Sequence, residues 1–142
     1  MPRYAAERVL LAPIDDVWKF VAEPYHLSDW FPGITGVQPD HRGFGEGARW
    51  RILGPGPGRG QYARGRDAEG MLIVHTIRAP RRFVFELLRV RTLADLSLRP
   101  LDENRTEARL EVAMPWWGIF SGTVAKQALR RLYDLIQTAA EL

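Results

Sequence analysis

His75 and Glu86 are the residues whose types could do acid–base chemistry together. A histidine changes charge near neutrality, and a carboxylate beside it orients and tunes the ring. Held together inside a pocket, such a couple can pass a proton in each direction. Whether they meet depends on strand register. If Arg78 faces water, then Met71, Ile73, His75 and Ile77 face inward. A four-residue turn, Ala79 to Arg82, then sets His75 opposite Glu86, which shares its inner face with Val84, Leu88 and Val90 and leaves Arg89 and Arg91 outside. The opposite register buries Phe83, Phe85, Leu87 and Arg89 instead, whereas the first leaves Phe83 and Phe85 in water. A one-residue slip or bulge separates the two, and both stay open.

Other catalytic templates are missing. The chain has no cysteine, so disulfides and thiolate chemistry are excluded. Three scattered histidines offer no metal-ligand spacing, and no His-Glu-x-x-His or Gly-x-Ser-x-Gly occurs. GPGPGRG, residues 54 to 60, lacks the glycine spacing of a dinucleotide fingerprint and the Gly-Lys-Ser/Thr of a phosphate loop. No metal or cofactor is expected. Cyclisation or dehydration is the chemistry left, because folding a reactive chain into position needs little machinery.

Two aromatic clusters need placing. In EPYHLSDWFPGI, residues 23 to 34, Tyr25, His26, Trp30 and Phe31 crowd between Pro24 and Pro32. The preferred reading is a packing wedge, with Trp18, Trp30 and Phe31 against Leu132, Leu135 and Ile136. Trp30 can still reach a cavity floor, and its indole N–H needs a partner there. In MPWWGIF, residues 114 to 120, one tryptophan is expected to line a cavity mouth and the other to pack.

The elements that must position these residues follow from periodicity. Residues 3 to 11 read as a strand. Ile14, Val17, Trp18 and Val21 make the stripe of an amphipathic helix, with Asp15 and Asp16 suiting its N-terminal dipole. Pro24 stops it, and a second short helix fits about residues 25 to 31. Residues 47 to 53, 70 to 78, 83 to 91, 93 to 101 and 105 to 114 read as an antiparallel meander. Residues 118 to 142 form the longest helix, with Ala125, Ala128, Leu129, Leu132, Leu135, Ile136 and Ala139 as its apolar stripe.

At 142 residues, one domain over 1–142 is expected. The N-terminus lacks a signal-peptide pattern and no run is long and apolar enough to span a membrane, so the expectation is a soluble, cytoplasmic protein. Arg42 to Arg91 holds eleven arginines and four acids, while the remainder holds nine basic and thirteen acidic residues. Such asymmetry suits an anionic ligand, a nucleic acid or a membrane surface. Eighteen arginines against two lysines also fit a compositional bias and a solvated sheet face, which is the preferred reading.

The element order, together with the APIDDVWKFVAEPYHLSDWFPGITGV opening and the proline-rich step into a closing amphipathic helix, resembles the START-like or helix-grip superfamily. Within it the chain is most similar to the polyketide cyclase/dehydrase and lipid-transport family. The resemblance implies an α+β fold in which a curved antiparallel sheet wraps a long C-terminal helix, with two short helices after the first strand. It also implies a cavity between sheet and helix for a small hydrophobic or amphipathic ligand, with GPGPGRG at the position of a gate loop. Alternating polarity then proposes Trp50, Ile52, Ile73, His75, Leu96, Leu98, Leu110, Val112, Trp116, Phe120, Val124 and Ala128 as its lining. The main expectation is a binder of a lipid-, polyketide- or isoprenoid-like molecule. One alternative is a cyclase or dehydrase using His75 and Glu86 as catalytic residues. The other is an interaction module that meets RNA, a ribosome or a protein partner through Arg49, Arg51, Arg64, Arg66, Arg78, Arg89 and Arg91.

Overall fold

Thr106, Ala108, Leu110 and Val112 are buried while Arg105 and Arg109 between them stay in water, the alternation of a strand with one face on a core. The computed structural model describes residues 3–54, 70–115 and 121–141. In chain order it contains β1 (Arg3–Leu10), α1 (Ile14–Val21), one 3-10 turn (Pro24–His26), α2 (Leu27–Trp30), β2 (Gly36–Gln38), β3 (Arg49–Leu53), β4 (Gly70–Arg78), β5 (Arg82–Leu87), β6 (Thr92–Asp102), β7 (Arg105–Ala113) and α3 (Ser121–Glu141). The seven strands form one curved antiparallel sheet in the order β1-β7-β6-β5-β4-β3-β2. The helix α3 packs on its concave face against β1 and β7, and α2 packs on α3. This is the helix-grip arrangement expected from the element order.

Local chemistry explains the ends of the elements. The Pro13 carbonyl accepts from the amides of Asp16 and Val17, starting α1, and Asp15 and Asp16 occupy its positive end. Asp102 accepts the Asn104 amide at 2.9 Å and the Arg105 side chain at 2.7 Å, which closes the turn between β6 and β7. After α2, Gly33 turns the chain with φ of 83° and its carbonyl lies against Gly54, itself at φ 132°. A methyl group on Gly54 would meet Gly33, so the end of β3 and the exit of α2 can approach only with glycine there.

Three departures from the sequence reading have local causes. β2 was not expected as a strand, because three residues carry no readable period. β5 stops at Leu87 rather than 91, since residues 88 to 91 turn, with Arg91 at φ 49°. Trp18 packs against the core and meets Phe44 edge-on at 5.7 Å, a neighbour the sequence reading did not name. The stripe of α3 holds for Ala125, Ala128, Leu129, Leu132 and Ile136, but Ala139 is exposed.

Candidate functional site

Phe83 and Phe85 decide the register. Three residues, 79 to 81, separate the paired Arg78 and Arg82, and the ladder continues through Ile77–Phe83 and Thr76–Val84 to Val74–Phe85. His75 is left without a ladder partner, as the extra residue of a β-bulge. The bulge switches which side chains of β4 face the core: Leu72 and Val74 before it, Ile77 after it. Across the ladder Phe83, Phe85 and Leu87 are buried together. Each such side chain contributes about 1.5–3 kcal/mol by leaving water. The opposite arrangement would expose all three and bury the Glu86 carboxylate, a cost without an offsetting gain.

His75 and Glu86 do meet, but on the convex face. Nε2 of His75 lies 2.8 Å from Oε1 of Glu86, and the two side chains are 41% and 35% exposed. The expectation of an inward-facing couple is therefore corrected. Ile73 is corrected with it, because it stands across the ladder from Arg49 and Glu86 and is only half-buried. A pair this open to water is screened and contributes little. Among the described residues the buried polar side chains, tryptophans aside, are Thr92 and Thr106, which donate to the carbonyls of Val90 and Ala12. No group of three or more His, Asp or Glu able to hold a metal occurs among the described residues.

The concave face is a row of aromatic rings. Phe85 lies 5.2 Å from Phe31 and 4.9 Å from Phe83, which continues to Phe44 at 4.8 Å and Trp50 at 6.2 Å. Trp30 stands edge-on to Phe31 and Phe85. Of the expected lining, Trp50, Ile52, Leu96, Leu98, Leu110, Val112, Val124 and Ala128 are all buried in this core. Trp116 and Phe120 lie outside the described residues, as does GPGPGRG beyond Gly54. Phe83 and Phe85, inner residues only in the alternative register, stand at its centre, and Phe44 joins them.

Two tryptophans in this row differ in one respect. The Trp50 indole N–H donates to the Gly43 carbonyl at 2.7 Å. The Trp30 indole N–H is fully buried and has no partner, the one buried side-chain polar atom so placed among the described residues. His26, by contrast, is satisfied: its Nδ1–H donates to the Phe20 carbonyl at 2.7 Å, and its ring stacks on Phe20 at 4.1 Å. The wedge reading thus holds for the packing of Trp30 and Phe31, and Trp30 also carries an unused donor into the core.

On the convex face the charges of β1, β5, β6 and β7 interlock. Arg3 pairs with Glu111, Arg109 bridges Glu7 and Glu111, Arg99 pairs with Glu107, and Arg82 binds Asp95 through two N–H groups. The arginines named for an anionic partner lie elsewhere, on and after β3, β4 and β5: Arg49, Arg51, Arg78, Arg89 and Arg91 are exposed. Arg64 and Arg66 lie outside the described residues. No helix among the described residues is long and apolar enough to cross a membrane.

Known proteins match this architecture. The family described as polyketide cyclase / dehydrase and lipid transport matches residues 1–137. No curated protein matches the chain. Among solved structures, the di-domain aromatase/cyclase BexL of the BE-7585A biosynthetic pathway superposes with a TM-score of 0.74 at 20% identity, over 96% of this chain and 47% of that one. A START superfamily protein from Mycobacterium smegmatis gives 0.68 at 14% identity, over 98% and 97%. XoxI from Bacillus cereus gives 0.73 at 10% identity, over 96% of both. Identities this low speak to the fold, whereas the family match spans nearly the whole sequence. The chain is a member of the polyketide cyclase/dehydrase and lipid-transport family.

Proposed function

We propose that this protein binds a small, largely hydrophobic ligand bearing a hydrogen-bond acceptor, between the concave face of the sheet and α3. The observation that carries the reading is the unpartnered Trp30 N–H. A buried donor left unsatisfied costs about 1–3 kcal/mol, and an incoming acceptor can recover it. The remainder of the face is apolar: Trp50, Ile52, Leu96, Leu98, Leu110, Val112, Val124 and Ala128 are the proposed lining, to which Phe83 and Phe85 are added. An apolar wall with one directional polar group is the usual form of a small-molecule site. Family membership supports the same class of ligand: a lipid-, polyketide- or isoprenoid-like molecule with a carbonyl, hydroxyl or ether oxygen. Binding is preferred to cyclase or dehydrase chemistry because His75 and Glu86 face water and no Asp, Glu or His among the described residues is buried.

The test pairs a polycyclic aromatic ketone with its parent hydrocarbon, alongside a long-chain fatty acid and a prenyl alcohol, in thermal-shift and native mass spectrometry assays. A ligand at a hundred times its Kd adds about 2.7 kcal/mol to stability, an easily read shift. The ketone is expected to bind more tightly than the hydrocarbon, and Trp30→Phe to erase about five- to tenfold of that preference, the worth of one buried hydrogen bond. Absence of binding by every class, or an undiminished ketone preference in Trp30→Phe, would overturn the reading.

A further inference from the structure

A recess of about 660 Å³ lies outside the core, bounded by residues 6 to 8 of β1 and by α3. Its position follows from strand geometry. Neighbouring side chains on a strand point to opposite faces, so Ala6, Glu7 and Arg8 can border one recess only where it runs along the edge of the strand. β1 is the terminal strand of the described sheet and pairs only with β7 there, so the outer side of its backbone ladder is open. The opposite wall is an exposed stripe of α3, with Thr123, Lys126, Gln127 and Arg130 at the spacing of one helix face, and the buried core residue Leu129 also borders it.

The charges of the recess are one-sided. Arg8 rests its guanidinium on the Tyr133 ring at 4.5 Å, a contact with the flat face of the cation that leaves its N–H edge available. Lys126 and Arg130 are exposed and have no ion-pair partner among the described residues, although Asp134 stands four residues beyond Arg130. The single acid at the recess, Glu7, is turned to the convex face and bonded to Arg109 at 3.0 Å. This contrasts with the interlocked pairs of β1, β6 and β7 on the other side of the same strands.

We propose that this recess docks an extended acidic peptide segment of a partner protein, added to β1 as an eighth strand. The backbone edge supplies strand-to-strand hydrogen bonds, the usual route by which an extended peptide joins an exposed sheet edge. The helix wall supplies the selectivity. Lys126 and Arg130 are separated by about 6 Å along the helix axis, and same-face side chains on an extended strand recur every ~6.6–6.8 Å. A segment with an acid at every second position therefore presents carboxylates in step with the two cations. A second copy of this chain is disfavoured as the occupant, because edge-to-edge pairing of β1 would bring two like-charged recesses together. The inference is independent of what the core binds.

The test measures fluorescence anisotropy of a labelled eight-residue peptide alternating glutamate and valine, against a lysine–valine counterpart and a glutamate–valine peptide N-methylated at alternate amides. The acidic peptide is expected to bind, the other two to bind at least tenfold more weakly, and hydrogen exchange at the β1 amides to slow when it binds. Lys126→Glu with Arg130→Glu, both exposed positions that leave the core intact, is expected to weaken binding about tenfold, two exposed ion pairs being reversed. Failure of the acidic peptide to bind, equal binding of the lysine or N-methylated peptide, or full competition by inorganic phosphate would overturn the proposal. So would self-association through this edge in mass photometry, which would identify a second copy as the occupant.

Discussion

The two faces of the sheet treat polar groups in opposite ways. On the convex face each described acid along β7 meets an arginine, and His75 meets Glu86, all in reach of water. On the concave face polar groups are few, and one of them, the Trp30 N–H, is left without a partner. Exposed pairs contribute little to stability. A buried orphan is costly, and under the proposed function it is the group that an incoming acceptor would satisfy. The comparison teaches that a hydrogen bond present in the structure is a weaker pointer to function here than one that is missing.

Truncating the concave face should have the largest effect. Phe85→Ala removes a ring that touches Trp30, Phe31 and Phe83, and a loss of about 3–5 kcal/mol is expected in urea denaturation. A loss below 1 kcal/mol would mean that the aromatic row is not the centre of the core. A matched pair of substitutions then isolates the orphan donor. Trp50→Phe strips a donor from the Gly43 carbonyl and is expected to cost about 1–3 kcal/mol. The same change at Trp30 removes an unsatisfied group, so it should cost clearly less than at Trp50 in the empty protein while weakening acceptor-bearing ligands. Similar costs at both positions would dissolve the distinction.

The convex face should respond weakly. His75→Ala and Glu86→Gln are each expected to change stability by less than about 1 kcal/mol and to leave ligand affinity unaltered. A large loss of turnover in either, with ligand affinity kept, would restore the acid–base reading of that pair. The smallest effect concerns pH. The Arg49 amide, and after it the Arg42 amide, hold the Asp40 carboxylate below its ordinary value of 3.8. Because the folded-state value is the lower one, this contribution is complete above 3.8 and is lost as pH falls through the folded value. Amide exchange at Arg42 and Arg49 should therefore quicken only in strong acid, and Asp40→Asn should remove that dependence. Exchange that quickens already near pH 5 would assign the loop's stability to another group.

Much of the fold was legible because its signals are local. Thr106 to Val112 alternate over a whole strand, and Ala125 to Ile136 repeat at helical spacing over three turns, so each element announces its own buried face. Pro24 and the Asp102–Asn104 turn mark their boundaries with single residues. The resemblance of the opening segment and closing helix to a known family joined these pieces into one architecture.

What tertiary structure alone decided lies where two elements must agree. Nothing within Gly70–Arg78 shows that His75 is the extra residue of a bulge; that follows from matching β4 to β5 across a three-residue loop so that Phe83 and Phe85 are both covered. The same match sends His75 and Glu86 outward together. Trp30 announces by its type a donor in search of a partner, but whether one is present depends on what closes around it from elsewhere in the chain, Phe85 of β5 among them. Periodicity is a property of one segment. Register and hydrogen-bond satisfaction are properties of pairs, and they are fixed only when segments distant in sequence come together.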